Sequence, residues 1–356
     1  FSDWETTIKN KINHIESLKD HISSSDVKDT LKPNEYSLIM KGGGIKGLSY
    51  VGAIEILEEH YKFKWFMGTS AGAITAILLA SGYSTKQLKE ILSKKKFSDF
   101  LDANIFGMIK NLLIYRGLFK ADSFIEWLDD LLSRKLDSPS RVRLEDLPLR
   151  TTIYASRKDK KAFIFDSSDE KSKENSAAFA ARCSMSIPFF FTPQISEGLR
   201  VMDGGIQNNF PVDILIDKHP DTKFIGLYLG SETFRKKNKA IWTDLSEIIT
   251  DSSDPEVLRK HRNNIVIIDP YPISTMRFNL SYEEKMFLLE AGRLSAIKFL
   301  DKNKKINKED HNYLQRKQKL EEIREALKRN KKLKRNRIIL VSVLVLIALL
   351  IFIFLS

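Results

Sequence analysis

The sequence predicts an α/β fold, and three observations carry that expectation. Apolar runs at 36–40 and 63–67 each pass through a glycine turn into a helix-forming stretch, 48–59 and 71–80. Further strand-length apolar runs follow at 150–156, 162–165, 199–202, 223–229 and 265–269. Helix-like stretches at 84–100, 122–134, 175–184 and 281–300 separate them. With 356 residues, 42% of them hydrophobic, the chain can build one large core or two ordinary ones.

The stretch around which the rest is organised is Gly68-Thr69-Ser70-Ala71-Gly72. A Gly-x-Ser-x-Gly between a strand and a helix has the form of a nucleophile elbow. The turn is so tight that side chains two residues either side of the serine would strike strand or helix. The serine hydroxyl is then expected at a helix N-terminus, where the dipole favours the negative charge of acyl transfer.

The earlier glycine turn, Gly42-Gly43-Gly44-Ile45-Lys46-Gly47, admits three readings. As Gly-x-Gly-x-x-Gly it matches a dinucleotide fingerprint, but that needs an acidic residue about twenty positions on. Gly68-Thr69-Ser70 occupies that place. It could be a turn without a ligand. The reading preferred is an oxyanion hole, because an acyl-transfer serine needs backbone N–H donors from a neighbouring strand–helix turn.

Asp203-Gly204-Gly205 closes the run at 199–202, followed by Asn208-Asn209-Phe210-Pro211. An acid at a strand end before two glycines suits an active-site approach, and equally an ordinary Asp-Gly turn. Residues 100–119, rich in Leu, Ile and Phe, read as core or as a lid or wall for an acyl chain. The same choice holds for Phe189-Phe190-Phe191, set between Pro188 and Pro193.

Charge and cysteine narrow the class. The net charge is +12, yet residues 302–337 hold 15 Lys and Arg against 5 Asp and Glu. The remaining body is nearly neutral, so a nucleic-acid-binding face is not expected. One cysteine, Cys183, leaves no internal disulfide framework and no cysteine-rich metal site, and it fits a reducing compartment. No calcium loop of the Asp-x-Asp-x-Asp-Gly kind is visible, and no cofactor or metal is expected. Residues 1–31 are polar and charged throughout, unlike a secretory signal.

Four segments are therefore expected. Residues 1–32 form an amphipathic helix, with Trp4, Ile8, Ile12, Ile15, Leu18 and Ile22 in one stripe. Residues 33–301 form the catalytic body. Residues 302–337 form a basic juxtamembrane helical segment. Residues 338–355 carry no charge, at the lower length limit for a membrane span. Only Ser356 follows, so the expectation is a single-pass tail anchor. The basic run just before it predicts a cytosolic body and contact with anionic lipid headgroups.

The glycine loop at 42–47, the elbow at 68–72, Ser-Ile-Pro-Phe-Phe-Phe-Thr-Pro at 186–193 and Asp-Gly-Gly at 203–205 stand in this order. Together they resemble the patatin-like phospholipase family, over roughly 36–301. The resemblance implies a three-layer α/β/α fold with a mostly parallel sheet and a Ser-Asp dyad. It makes Ser70 the nucleophile, Asp203 the base and the 42–47 loop the oxyanion hole. The family often has an acid before the glycine loop, where this chain has Lys41; the donors are backbone groups, so little changes. A triad would need a histidine later in the chain than Asp203, and the candidates are His219, His261 and His311. The implied reaction is hydrolysis of fatty-acyl esters of glycerophospholipids through an acyl-enzyme. The alternatives are an esterase for other acyl substrates and a membrane-tethered interaction protein with an inactive hydrolase body.

Overall fold

A computed structural model describes residues 31–32, 34–159, 162–230 and 254–355. The expected helix at 1–32 lies almost wholly outside these residues. Side chains at 254–255, 334–335 and 337–355 are likewise not described.

The two glycine-turn units form as expected. Strand β1 (Glu35–Met40) leads through a 3₁₀ turn at Gly44–Gly47 into α1 (Leu48–Leu57). Strand β2 (Lys62–Thr69) leads into α2 (Ala71–Ala80). Next come α3 (Thr85–Lys94), α4 (Ile105–Tyr115), β3 (Gly117–Phe119) and α5 (Asp122–Leu136). Ser84 starts α3 with a reciprocal capping box to Gln87, satisfying otherwise orphan N–H groups. The expected helix at 84–100 stops at Lys94 and ends in a 3₁₀ turn at Phe97–Phe100.

The second half begins with β4 (Arg150–Arg157) and β5 (Phe163–Asp166), an antiparallel pair. Then follow α6 (Ala177–Ser184), β6 (Phe189–Phe191), β7 (Gln194–Ser196) and β8 (Leu199–Asp203). The body continues with α7 (Val212–Lys218), β9 (Phe224–Leu229), α8 (Asp254–Lys260), β10 (Ile265–Ile268) and α9 (Tyr282–Lys302). Last is α10 (Tyr313–Leu355).

The central sheet runs β10-β9-β1-β2-β4-β8-β7, with β5 also on β4. The five strands from β10 to β4 are parallel; β5, β7 and β8 join antiparallel. Alternation along the strands serves two cores. Leu38, Met40 and Phe66 enter a cluster with α1, α2, α5, α6 and α9. Ile39, Trp65 and Met67 enter another with Val212 and Leu215 of α7. Helices thus cover both faces, the layering that buries a parallel sheet. The chain leaves β1 towards β2 and β4, then returns to place β9 on its other side. The C-terminal end of β1 is therefore a topological switch point, where α/β sheets open a crevice.

Packing of the body does not stop at Asp301. Tyr313, Leu320 and Arg324 of α10 are buried against it, because Leu320 and Arg324 share one helical face. The helix continues through the expected span at 338–355. Among the described residues, no helix is long and apolar enough to cross a membrane; the side chains of 338–355 lie outside them.

Candidate active site

The elbow is built by close approach. A Cβ at Gly68 would overlap the backbone of Gly72, and one at Gly72 would overlap the carbonyl of Met40. Larger residues at either place would push strand and helix apart. Ser70 itself sits at φ 52° and ψ −116°, a left-handed backbone that costs a serine roughly 1–3 kcal/mol. The surrounding bonds hold it there. Its N–H donates to Ser184 Oγ at 2.8 Å, and that hydroxyl donates to the Tyr154 carbonyl at 2.5 Å. The Ser70 side chain, almost buried, lies at the N-terminus of α2.

The glycine loop runs along the elbow. A Cβ at Gly42 would stand 3.3 Å from Ser70 Cβ, and one at Gly47 would stand 2.7 Å from Ala71 Cβ. Not every N–H of the loop is available. Gly42 N–H donates to the Asn209 carbonyl at 3.1 Å, Ile45 N–H to the Thr275 carbonyl at 3.2 Å and Lys46 N–H to the Gly43 carbonyl at 3.3 Å. Among the described residues, the N–H groups of Gly43 and Gly44 donate to no protein group. Of the six residues expected to form an oxyanion hole, these two keep donors unspent. The first-turn N–H groups of α2 also lack intrahelical partners, and the loop meets that helix start through Gly42 at Ser70 and Gly47 at Ala71.

Asp203 comes to the same place from the far side of the sheet, where β8 pairs with β4 at Ala155. Its N–H donates to the Ser186 carbonyl at 2.9 Å. Its Oδ1 accepts the Gly205 N–H at 2.7 Å, while Oδ2 is buried without a hydrogen-bond partner. Burial pushes the carboxyl up to about 6; the Gly205 N–H and the neighbouring Ser70 hydroxyl pull it part of the way back. The hydroxyl is thus close enough to favour the carboxylate without closing a well-aligned bond to Oδ2. Long or misaligned contacts of this kind are common before substrate binds.

Several residues that hold the site had no signature in the sequence. Asn209 Nδ2 donates to the Gly42 carbonyl at 3.4 Å, tying the Asp203 loop to the glycine loop. Buried Arg182 donates to Ser186 Oγ at 2.6 Å and to the carbonyls of Lys120 and Thr192. Burial among carbonyl groups lowers its guanidinium to about 10. Arg182 therefore braces the segment that carries both Ser184 and Ser186.

The loop 269–280 links the site to α10. Its Thr275 carbonyl holds the glycine loop, and its Phe278 ring stacks on Phe190 at 5.5 Å. Arg324 of α10 donates to the carbonyls of Tyr271 and Asp269 and pairs with the Asp269 carboxylate at 3.4 Å. Arg324→Ala removes these guanidinium contacts to the two carbonyls and the carboxylate. The expected outcome is a loss of about 1–3 kcal/mol in urea unfolding and a several-fold drop in kcat with little change in KM. Unchanged kcat in a destabilised variant would assign Arg324 to stability alone.

The histidines stand elsewhere. His219 packs edge-on against Trp65 at 5.0 Å, and His261 against Phe224 at 5.7 Å. Trp65 lies five residues before Ser70, roughly 15 Å back along β2. His219 and Trp65 line a separate cavity of about 200 Å³ with Arg150 and Asp166, which includes neither Ser70 nor Asp203. Changing His60, His219 or His261 to Gln is expected to leave ester turnover within about twofold. Collapse of activity in one folded variant would point to a triad.

Of the two greasy stretches, Phe191 is core, Phe190 half-buried and Phe189 exposed. Phe100 and Phe119 are also core, whereas most of α4 between them faces out.

A family model described as "Patatin-like phospholipase" matches residues 38–216. The chain belongs to the patatin-like phospholipase family. The matched range contains the glycine loop, the elbow and Asp203-Gly204-Gly205. "Uncharacterized protein YqhO" of Bacillus subtilis (strain 168) is 31% identical over 292 residues, covering 74% of this chain and 97% of that protein. "Probable lipid hydrolase 463L" of Invertebrate iridescent virus 6 is 28% identical over 204 residues, 53% of this chain and 67% of that one. The crystal structure of VipD from Legionella pneumophila aligns with 76% of this patatin-like chain and 67% of its own, at 18% identity and a TM-score of 0.48.

Proposed function

We propose that this chain is a serine lipid acyl hydrolase that cleaves fatty-acyl esters of glycerophospholipids. The observation that carries the reading is a convergence at the C-terminal strand ends. The Ser70 hydroxyl neighbours the Asp203 carboxylate there, and the glycine loop, whose Gly43 and Gly44 N–H groups are unspent, packs on the elbow at Gly42 and Gly47. Patatin-like membership supports a lipid ester as substrate.

Asp203 accepts the Ser70 proton as Oγ attacks the ester carbonyl. The carbonyl oxygen takes up the negative charge, and Gly43 and Gly44 N–H groups, with the N-terminus of α2, stabilise it. The C–O bond to the lysophospholipid breaks, and its alkoxide leaves with the proton held by Asp203. Water then gives a proton to Asp203 and attacks the acyl-enzyme. The fatty acid departs as Ser70 recovers its proton. A carboxyl titrating near 6 suits both halves, since it is ionised at neutral pH yet basic enough to accept a proton.

The reading includes residence on a membrane through residues 338–355, with 328–337 on anionic headgroups and the body cytosolic. The uncharged sequence of 338–355 and the seven Lys and Arg between 328 and 337 support it. Deleting 338–355 while keeping α10 up to its basic run should release the protein to a carbonate wash. A deleted form that resists extraction would place the membrane contact in the body. The reaction itself is tested by mass spectrometry of products from defined phospholipids, with Ser70→Ala as control. Absence of free fatty acid and lysophospholipid would overturn it.

A further inference from the structure

Helix α4 is turned the wrong way for a helix of a folded body. Its inward residues are Gly107, half-buried Met108 and buried Asn111, whose amide donates to the Leu118 carbonyl at 3.1 Å. Its outward face is apolar: Phe106 is 80% exposed, Leu113 79%, Ile105 67%, Ile114 56% and Ile109 55%. An ordinary surface helix places its polar face in water, and an apolar patch of this size marks an interaction site.

Two further observations identify the occupant. From 103 to 120 the chain has Lys110, Arg116 and Lys120 and no Asp or Glu. The patch is therefore cationic within a body that is nearly neutral. It also continues towards the reactive groups. Exposed Phe189 pairs with Gly117, directly after α4, and three residues earlier the Ser186 carbonyl holds the Asp203 N–H. Apolar side chains with cations at their margin match a phospholipid surface, with acyl chains below and phosphates at headgroup level.

We infer that the outward face of α4, with Phe189, is the surface by which this protein docks on a phospholipid bilayer, Ile105, Phe106, Ile109 and Leu113 entering the acyl boundary and Lys110 and Arg116 meeting lipid phosphates. The inference rests on the proposed lipid hydrolysis and adds where the bilayer is met.

The test uses the full chain in phosphatidylcholine vesicles containing phosphatidylglycerol. Leu113→Cys carries an environment-sensitive dye; Cys183 is buried and stays unlabelled. A dye at Lys218→Cys, exposed on α7, is the control. Nitroxide-labelled lipid is expected to quench the dye at 113 and not at 218, in the Ser70→Ala background as well. A dye at 113 that stays in water on vesicles overturns the inference. So does one already shielded without vesicles, which would mean that residues 1–30 or a second copy cover the patch. In the Phe106→Ser, Leu113→Ser double variant, the ratio of vesicle turnover to dispersed short-chain ester turnover should fall about tenfold; an unchanged ratio also overturns it. If the unaltered chain cleaves no ester at all, the hydrolase reading fails while the quenching result still decides the docking surface.

Discussion

Ser70→Ala is expected to lower ester hydrolysis by at least about 10⁴-fold and to abolish covalent labelling by a fluorophosphonate. The change removes the attacking oxygen and little else. Alanine meets the same backbone cost at φ 52° as serine does. The N–H at this position still reaches Ser184 Oγ, and the two elbow glycines still let β2 meet α2. Stability should therefore stay within about 1 kcal/mol. The measurements are labelling, ester turnover and urea unfolding on the same preparation. Labelling that persists at another serine would remove Ser70 from the chemistry. Lost labelling with a collapsed unfolding midpoint would show that the side chain holds the fold instead.

The parts of the site that were legible in the sequence are those fixed by local geometry. Gly68, Gly72 and the strand–helix switch around Ser70 announce a tight elbow because the clash they avoid lies within a few residues or against the adjacent strand. The glycine turn after β1 was legible as a turn, although the groups that a Cβ would strike there, Asn209 at Gly42, Leu229 at Gly43 and Thr275 at Gly44, come from far along the chain. What stayed hidden depends on contacts between distant segments. Gly42 and Ile45 look like equal members of an oxyanion loop until Asn209 and Thr275 arrive from far along the chain and occupy their N–H groups. Ser184 reads as one more small residue of α6, although it fixes the Ser70 backbone. The segment that holds α4 stayed open for another reason. Its wealth of Leu, Ile and Phe fits core and a lid or wall alike, and composition cannot say whether protein or something outside the chain covers it. The boundary expected at Asp301 rested on composition, which shifts there. The core contacts of Leu320 and Arg324 occur within a charged stretch whose average conceals them.

Asp203→Asn is expected to lower kcat by several orders of magnitude and, at neutral pH, to stabilise the fold. Asparagine keeps an oxygen that can accept the Gly205 N–H but cannot take the Ser70 proton. In the unaltered enzyme, activity should rise with pH through about 6, as the carboxyl ionises, and then level off. Stability should move in the opposite sense. Folding raises the carboxyl from 3.8 to about 6 because it is buried. Between those values the folded chain holds a proton that the unfolded chain has released, so stability falls as pH rises through the window. Above it, the buried charge costs roughly 2–3 kcal/mol. The Asn variant carries no such charge, although its amide brings N–H groups to the place of the unpartnered Oδ2. That offsets part of the gain, by about 1–2 kcal/mol. Unfolding by urea at about pH 4 and about pH 8 separates the two contributions. The amide cost is present at both, whereas relief of the charge appears at the higher pH alone. A variant whose stability relative to the unaltered chain is the same at both would mean that the carboxyl is not held up by burial, and would remove the physical basis for Asp203 as a base near neutral pH.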